Sequence, residues 1–415
     1  VTTLYFSHCN FERIVKSQTP TQQARRFDVV IVGGGIMGSS TAYWLASNPD
    51  FDGSVAVIEK DPTYAFSTTA RSNSCIRLQF STGLNIEISK FGVQFLHHLP
   101  DYLTVGDEHP DVSFRECGYL FLATTPEGRD ALLQNHATQR RHGVTDVAAL
   151  TPEALAARFP WMNTKGVTGA TLGLKHEGAF DPYSLLQAFK KKARSLGVAY
   201  LSEEVLGLRH TGRRVSEVMT GAGSLQCGTV VNAAGAWARD IAAMVNIDLP
   251  VFPRPRSVFV FTCPVAIPDL PLLIGPDGFY VRPDGHNYLC GMKPPDGRDH
   301  NSHDFGVDYR WFDDELWPRL ARWVPAFERV KMQRAWTGHY EYNTFDRNAL
   351  MGAHPAIDNL LFCNGFSGHG MQQSPAAGRG ISELIAYGAY RTLDLAAFSI
   401  QRLVDNRPII EQYVV

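Results

Sequence analysis

Behind Asp28 the chain opens an uninterrupted apolar run, Val29-Val30-Ile31-Val32. A strand with one wet face would alternate, so an unbroken run predicts a parallel strand buried on both faces. Glycines follow, then an apolar-rich helix at about 36–46, then a second buried run, Val55-Ala56-Val57-Ile58. This is the opening of a βαβ unit. Further on, the pattern predicts helices near 85–99, 126–141, 152–159 and 181–196. The last has Asp181 as N-cap, Pro182 in the first turn and Gly197 as its stop. Strands are expected at 118–123 and 230–235, the second running into a small-residue turn. Residues 251–293 break into short β-rich pieces, including 257–262, 279–282 and 287–291, separated by Pro and Gly as in an antiparallel sheet. A helix near 313–323, a buried strand at 360–364 and a helix at about 372–387 complete the pattern.

These elements predict an α/β fold: a Rossmann-type, nucleotide-binding parallel sheet built from separated segments, with an inserted α+β substrate domain on an antiparallel sheet. The nucleotide-binding segments are 27–105, 165–250 and 346–393. Residues 106–164 and 251–345 form the inserted domain, and 394–415 a C-terminal tail. Residues 1–26 read as a leader. They carry Arg13, Lys16, Arg25 and Arg26 against one acid, Glu12. That composition fits the remnant of an organelle-targeting region or an ordinary solvated leader. The first residue is Val, so the start is expected to be processed, truncated or incomplete.

Composition narrows the function. With 415 residues, 44% of them hydrophobic, the chain can bury a large core. A net charge of −2 argues against a nucleic-acid partner. No apolar run approaches the roughly 18–20 residues that would span a bilayer. The seven cysteines are scattered without a CxxC pair. That favours a reducing compartment and argues against a zinc site or a disulfide framework, and no metal ligand set is expected.

Candidate chemistry begins where the first strand ends. Gly33-Gly34-Gly35-Ile36-Met37-Gly38 fits GxGxxG, sits between strand and helix, and is followed by a second strand ending in Glu59. Gly33 would permit the tight turn, Gly35 the approach of a pyrophosphate, and Gly38 close helix–strand packing. The helix N-terminus offers N–H groups and the positive end of its dipole to phosphates. Glu59 suits two ribose hydroxyls and would repel a 2′-phosphate. FAD and NAD share this fingerprint. Two distant segments favour FAD. VVNAAGAW (230–237) is a buried strand ending in small residues. GFSGHGM (365–371) is a glycine-rich loop before a helix, able to stabilise a ring that becomes negative.

Together these three segments resemble the FAD-dependent D-amino-acid oxidase superfamily, near the glycine and sarcosine oxidases. FPWMNT (159–164), VPAFE (324–328), YEYNTFD (340–346), residues 365–375 and the tail from Asp394 are similar to a mitochondrial branch associated with assembly of respiratory complex I. The likeness covers about residues 27–415. It implies non-covalent FAD held by Gly33, Gly35, Ile36, Met37, Gly38, Glu59, Lys60, Ser72, Asn73, Val205, Ala234, Gly235, Gly368, His369, Gly370 and Met371. The cysteine that carries covalent flavin in sarcosine oxidases falls near 338–340, where this chain has none; His339 is the alternative linkage site there.

The resemblance also implies hydride transfer to flavin from the carbon beside nitrogen in a small secondary amine or amino acid, with no obligatory general base. Arg77, Lys293 and His369 are the candidate catalytic residues. Arg77 is placed like an arginine that anchors a substrate carboxylate, unless it serves a structural salt bridge. Lys293 resembles a lysine that promotes reaction with oxygen; away from the ring, a dehydrogenase is implied instead. Tyr280, Arg282, Tyr340 and Tyr342 would cover the substrate side. Gln372 stands where those oxidases have a second carboxylate-binding lysine, and this weakens the case for a simple amino acid. Two other functions stay open: an FAD-retaining assembly factor or accessory subunit of complex I with little turnover, and an NAD-dependent dehydrogenase. The implied location is mitochondrial, in the matrix or at the inner membrane, with the cytoplasm as the alternative.

Overall fold

The computed structural model describes residues 25–411. Its first sheet runs, edge to edge, Leu350–His354, Ile357–Asn364, Gly223–Asn232, β1 (Arg25–Val32), β2 (Val55–Ile58) and Ala199–Leu201. From Ile357–Asn364 to Ala199–Leu201 the pairing is parallel. Val29 to Val32 are buried, as the unbroken run requires. α1 (Ile36–Ala46) packs against the helix Gly370–Tyr387 and the helix Pro182–Ser195. Asp181 caps the latter, its side chain accepting from Ser184 N at 2.5 Å. Val205–Thr211 and Arg214–Thr220 extend Gly223–Asn232 as an antiparallel meander.

The second sheet has eight strands, in the order Lys331–Asn343, Val251–Thr262, Asn287–Met292, Phe279–Asp284, Leu272–Ile274, Tyr119–Ala123, Gly169–Gly173 and Val147–Leu150. All neighbours are antiparallel except Leu272–Ile274 with Tyr119–Ala123. Its core is aromatic, with Phe259, Phe261, Phe312, Trp323 and Phe327 fully or nearly buried. No helix among the described residues is long and apolar enough to cross a membrane.

Three boundaries differ from those read in the sequence. β1 begins at Arg25, two residues inside the expected leader, because Arg25 and Arg26 pair with Leu225 and Gln226. Arg25 also forks onto Glu203 at 2.7 and 2.8 Å. The rest of the leader lies outside the described residues. Gly169–Gly173, assigned above to nucleotide binding, pairs with Tyr119–Ala123 in the second sheet. Its small residues give a weak strand signal, and only the long-range partner reveals where it belongs. The tail from 394 is packed rather than appended. Buried Arg402 makes a two-point ion pair with buried Asp346 at 2.7 and 3.0 Å.

The tail also supplies a helix cap. The helix Gly83–His97 has no cap from its own N-cap side chain. Glu411 takes that part, accepting from Ser81 N (2.9 Å), Thr82 N (3.2 Å) and both hydroxyls. A carboxylate at a helix N-terminus satisfies orphan amides and meets the positive dipole end. Glu411→Ala is therefore expected to lower unfolding free energy by about 1–3 kcal/mol, the cost of leaving such donors unpaired. Denaturant titration of the FAD-loaded protein measures it, and a midpoint equal to wild type would show the tail to be unimportant there.

Candidate cofactor and active site

All the parallel strands of the first sheet point their carboxyl ends to one edge, where ligands of such sheets bind. Four loops line that edge: 33–35 after β1, 59–60 after β2, 233–235 and 365–369. They form one wall of a cavity of about 720 Å³, and strands of the antiparallel sheet form the other. At one end are Gly33, Gly35, Glu59, Lys60 and Val205. At the other are Arg77, Tyr280, Tyr340, Gly368 and Gln372. Every residue expected to touch FAD lines this single cavity except Gly38.

Gly38 serves the turn instead. A Cβ there would lie 1.9 Å from Gly33 O, so it allows the strand–helix crossing rather than contacting a ligand. Gly33 has φ +97°, and a Cβ would meet Ala233 O at 2.4 Å. Gly35 differs. Its backbone is extended, and beyond its chain neighbours a Cβ would approach only Thr69 Oγ1, at 3.2 Å. Gly35 therefore leaves an open approach at the start of α1, as a bound pyrophosphate requires. The Glu59 carboxylate is held by Gly34 N (2.8 Å) and Asp61 N (2.9 Å), and burial raises its pKa. The glycine cradle, the helix end and a fixed carboxylate together fit an ADP moiety.

Thr69 and Glu341 were not anticipated as site residues. Thr69 is buried, lines the cavity and accepts from Ile36 N at 3.0 Å, so it pins the first amide of α1. The only trace in the sequence is the run of hydroxyl residues after β2. Lys60 lies over the Trp237 ring, 4.0 Å from its centroid. His339 is buried in the wall. Burial lowers its pKa to about 4. Glu341 is also buried there, and burial pushes its pKa up to about 8 against the opposing amides of Gly365 and Phe366.

Arg77 is buried at the far end. Its Nη2 lies 3.1 Å from His369 Nε2. A guanidinium can only donate, so Nε2 accepts and the His369 proton sits on Nδ1. The guanidinium also stacks over Phe80, 4.6 Å from the ring centroid. Gln372 Oε1 accepts from Arg77 N at 2.8 Å. Behind this segment, fully buried Glu177 accepts from Leu78 N (2.6 Å) and Gln79 N (3.1 Å), with its pKa raised to about 7 by burial. The arginine is thus fixed from its backbone and from its tip. Gln372 lines the cavity, but its oxygen is engaged in this positioning.

Two expectations need correction. Tyr342 does not line the cavity. Its strand, Lys331–Asn343, is long enough to run past the pocket, and its ring lies against Arg254 at 5.2 Å. Arg282 does not line it either; it grips Asn73 through Oδ1 (2.7 Å) and O (3.1 Å), fixing the loop that does. Lys293 reaches the wall, but its ammonium is paired with Asp296 at 2.8 Å.

Fold and cavity define a flavin-dependent oxidoreductase. The chain belongs to the DAO family of FAD-dependent oxidoreductases, whose model matches residues 28–384. It is 40% identical to FAD-dependent oxidoreductase domain-containing protein 1 of Xenopus laevis, over 96% of this chain and 87% of that protein. It is 26% identical to the 4-methylaminobutanoate oxidase (formaldehyde-forming) of Paenarthrobacter nicotinovorans, over 90% of this chain and 45% of that protein. Among solved structures, L-proline dehydrogenase from P. horikoshii superposes with a TM-score of 0.83 at 26% identity, covering 93% of this chain and 100% of that one. FAD supplies the electron-accepting ring of this family. Here the glycine cradle and Glu59 would hold its ADP part, and Gly368 to Met371 the ring end.

Proposed function

We propose that this protein oxidises the C–N bond of a small secondary amine bearing a carboxylate. The observation that carries this is buried Arg77 on the cavity wall at the flavin-ring end, fixed by His369 and Gln372. A fixed guanidinium fork matches a carboxylate in two hydrogen bonds. Two proteins to which the chain is similar are named for 4-methylaminobutanoate and L-proline, both secondary amines with a carboxylate. Tyr280, Tyr340 and Met292 supply an apolar wall for the amine substituents. The chain's role is to orient the substrate's α-carbon and exclude water.

Anaerobic mixing of the FAD-loaded protein with a panel of N-alkyl amino acids tests the proposal. Bleaching of the flavin absorbance by at least one carboxylate-bearing secondary amine is expected, with carboxylate-free analogues inactive. Bleaching by the analogues alone would overturn it.

A second reading is an FAD-retaining assembly or accessory protein of mitochondrial respiratory complex I, with little turnover. It draws on Lys293 being held by Asp296 and on Gln372 replacing a charged carboxylate partner. Bound FAD would then act as a native-state ligand that stabilises the fold. This reading predicts no bleaching by any amine, together with mitochondrial co-fractionation with complex I.

A further inference from the structure

Outside the flavin cavity, three distant segments bring together a second set of donors. His97 ends the helix Gly83–His97, Glu116 precedes the strand Tyr119–Ala123, and His176 lies in the turn before Gly178–Ala179. His97 Nε2 is 3.0 Å from Glu116 Oε1, and His176 Nδ1 is 3.5 Å from the same oxygen. All three donor atoms lie within 4.8 Å of one another. Metal–ligand bonds of about 2.0–2.2 Å place the corners of a zinc tetrahedron roughly 3.3–3.6 Å apart. The 3.5 Å separation matches that edge, and the 3.0 Å separation would have to open by a few tenths of an ångström.

Two further features fit a ligand set. His176 Nδ1 is shielded from solvent and makes no hydrogen bond among the described residues. Its other ring nitrogen, Nε2, faces Asp146 Oδ2 at 3.6 Å. That separation is an ion-pair contact and not a hydrogen bond, but it puts a carboxylate beside the far ring nitrogen, where an outer carboxylate of a metal-bound histidine takes the N–H. His176 also sits at φ +65°, a strained conformation for a residue other than glycine. Cysteine spacing carries no information about such a site, because imidazoles and a carboxylate from separate segments build it.

We propose that His97, Glu116 and His176 bind one divalent transition-metal ion of the zinc type, with Asp146 orienting His176. Two imidazoles and one carboxylate select borderline ions over Mg²⁺ and Ca²⁺, which prefer all-oxygen shells. With three protein donors, water completes the coordination. The ion clamps the end of the helix to the turn beside Glu177, the carboxylate that sets the backbone of the Arg77 segment. Its role is structural and separate from the flavin.

Zinc titration of the EDTA-stripped, FAD-loaded full chain tests this by calorimetry, with metal content measured after desalting. Expected are one Zn²⁺ per chain, no competition from Mg²⁺, and a melting temperature that rises with zinc concentration. The ligands are partly exposed, so His97→Ala, His176→Ala and the double variant should keep their flavin absorbance. Each single change is expected to weaken zinc binding at least about tenfold, and Asp146→Asn roughly 10- to 100-fold. Equal zinc binding or an equal zinc-dependent rise in melting temperature in wild type and double variant would overturn the proposal, as would wild type retaining no zinc.

Discussion

Valine in place of Gly35 is expected to give a folded protein without yellow colour. Gly35 has backbone angles that any residue adopts, and outside its chain neighbours a Cβ there meets only Thr69 Oγ1, at 3.2 Å. The added methyls would instead fill the approach to the first amides of α1. Two or three charge-assisted hydrogen bonds would be lost, each worth about 1.5–3 kcal/mol. FAD affinity should fall by roughly two orders of magnitude or more. Gly33→Ala is the contrasting variant. At φ +97° and 2.4 Å from Ala233 O, it should damage the fold as well as binding. Flavin absorbance after purification, FAD titration of the stripped protein and far-ultraviolet circular dichroism separate the two effects. A Gly35→Val protein with wild-type flavin content would mean that the phosphates do not rest on this helix.

The same contrast explains what was legible in the sequence. Strand, glycine turn, helix and Glu59 lie within 35 residues of one another, and each has a local physical signature. The periodicity of the elements and the glycines alone located one end of the cavity. The other end is assembled from Arg77, strand residues near 340 and the loop at 365–372, and here local pattern gives residue types without directions. Tyr340 and Tyr342 share a strand and a parity, yet only Tyr340 reaches the cavity, because the strand outruns the pocket. Thr69 takes its role from one long-range hydrogen bond to Ile36 N. Gly169–Gly173 belongs to whichever sheet it pairs with, and nothing in five small or apolar residues states which.

Engagement was the least legible property. Gln372 read as a lost charge in a substrate site, and the structure shows its oxygen on the Arg77 backbone. Lys293 read as a cation near the ring, and it reaches the wall while paired to Asp296. Buried Glu177 belongs to no motif, and neither the YEYNTFD segment nor the linkage reading states how Glu341 and His339 ionise. Their perturbed ionisation follows from burial, which only the folded chain supplies.

Arg77→Met should lower kcat/KM for a carboxylate-bearing amine by a factor of roughly 30 to several thousand, and leave flavin content unchanged. The range corresponds to about 2–5 kcal/mol for truncating one partner of a buried, hydrogen-bonded charge pair. Methionine keeps much of the contact with Phe80, so packing loss contributes little. Arg77→Lys keeps the charge but not the fork, and should fall between methionine and wild type. Gln372→Ala acts one step back. It frees the Arg77 backbone, so it should raise KM more than it lowers kcat. The deciding measurement compares an N-methyl amino acid with its carboxylate-free analogue across these variants. A selective loss for the acid places the carboxylate on Arg77. Equal losses for both would reduce Arg77 to a structural partner of His369, and the carboxylate would have to be held elsewhere in the cavity, where Arg256 is another buried guanidinium in the lining, paired with Asp299.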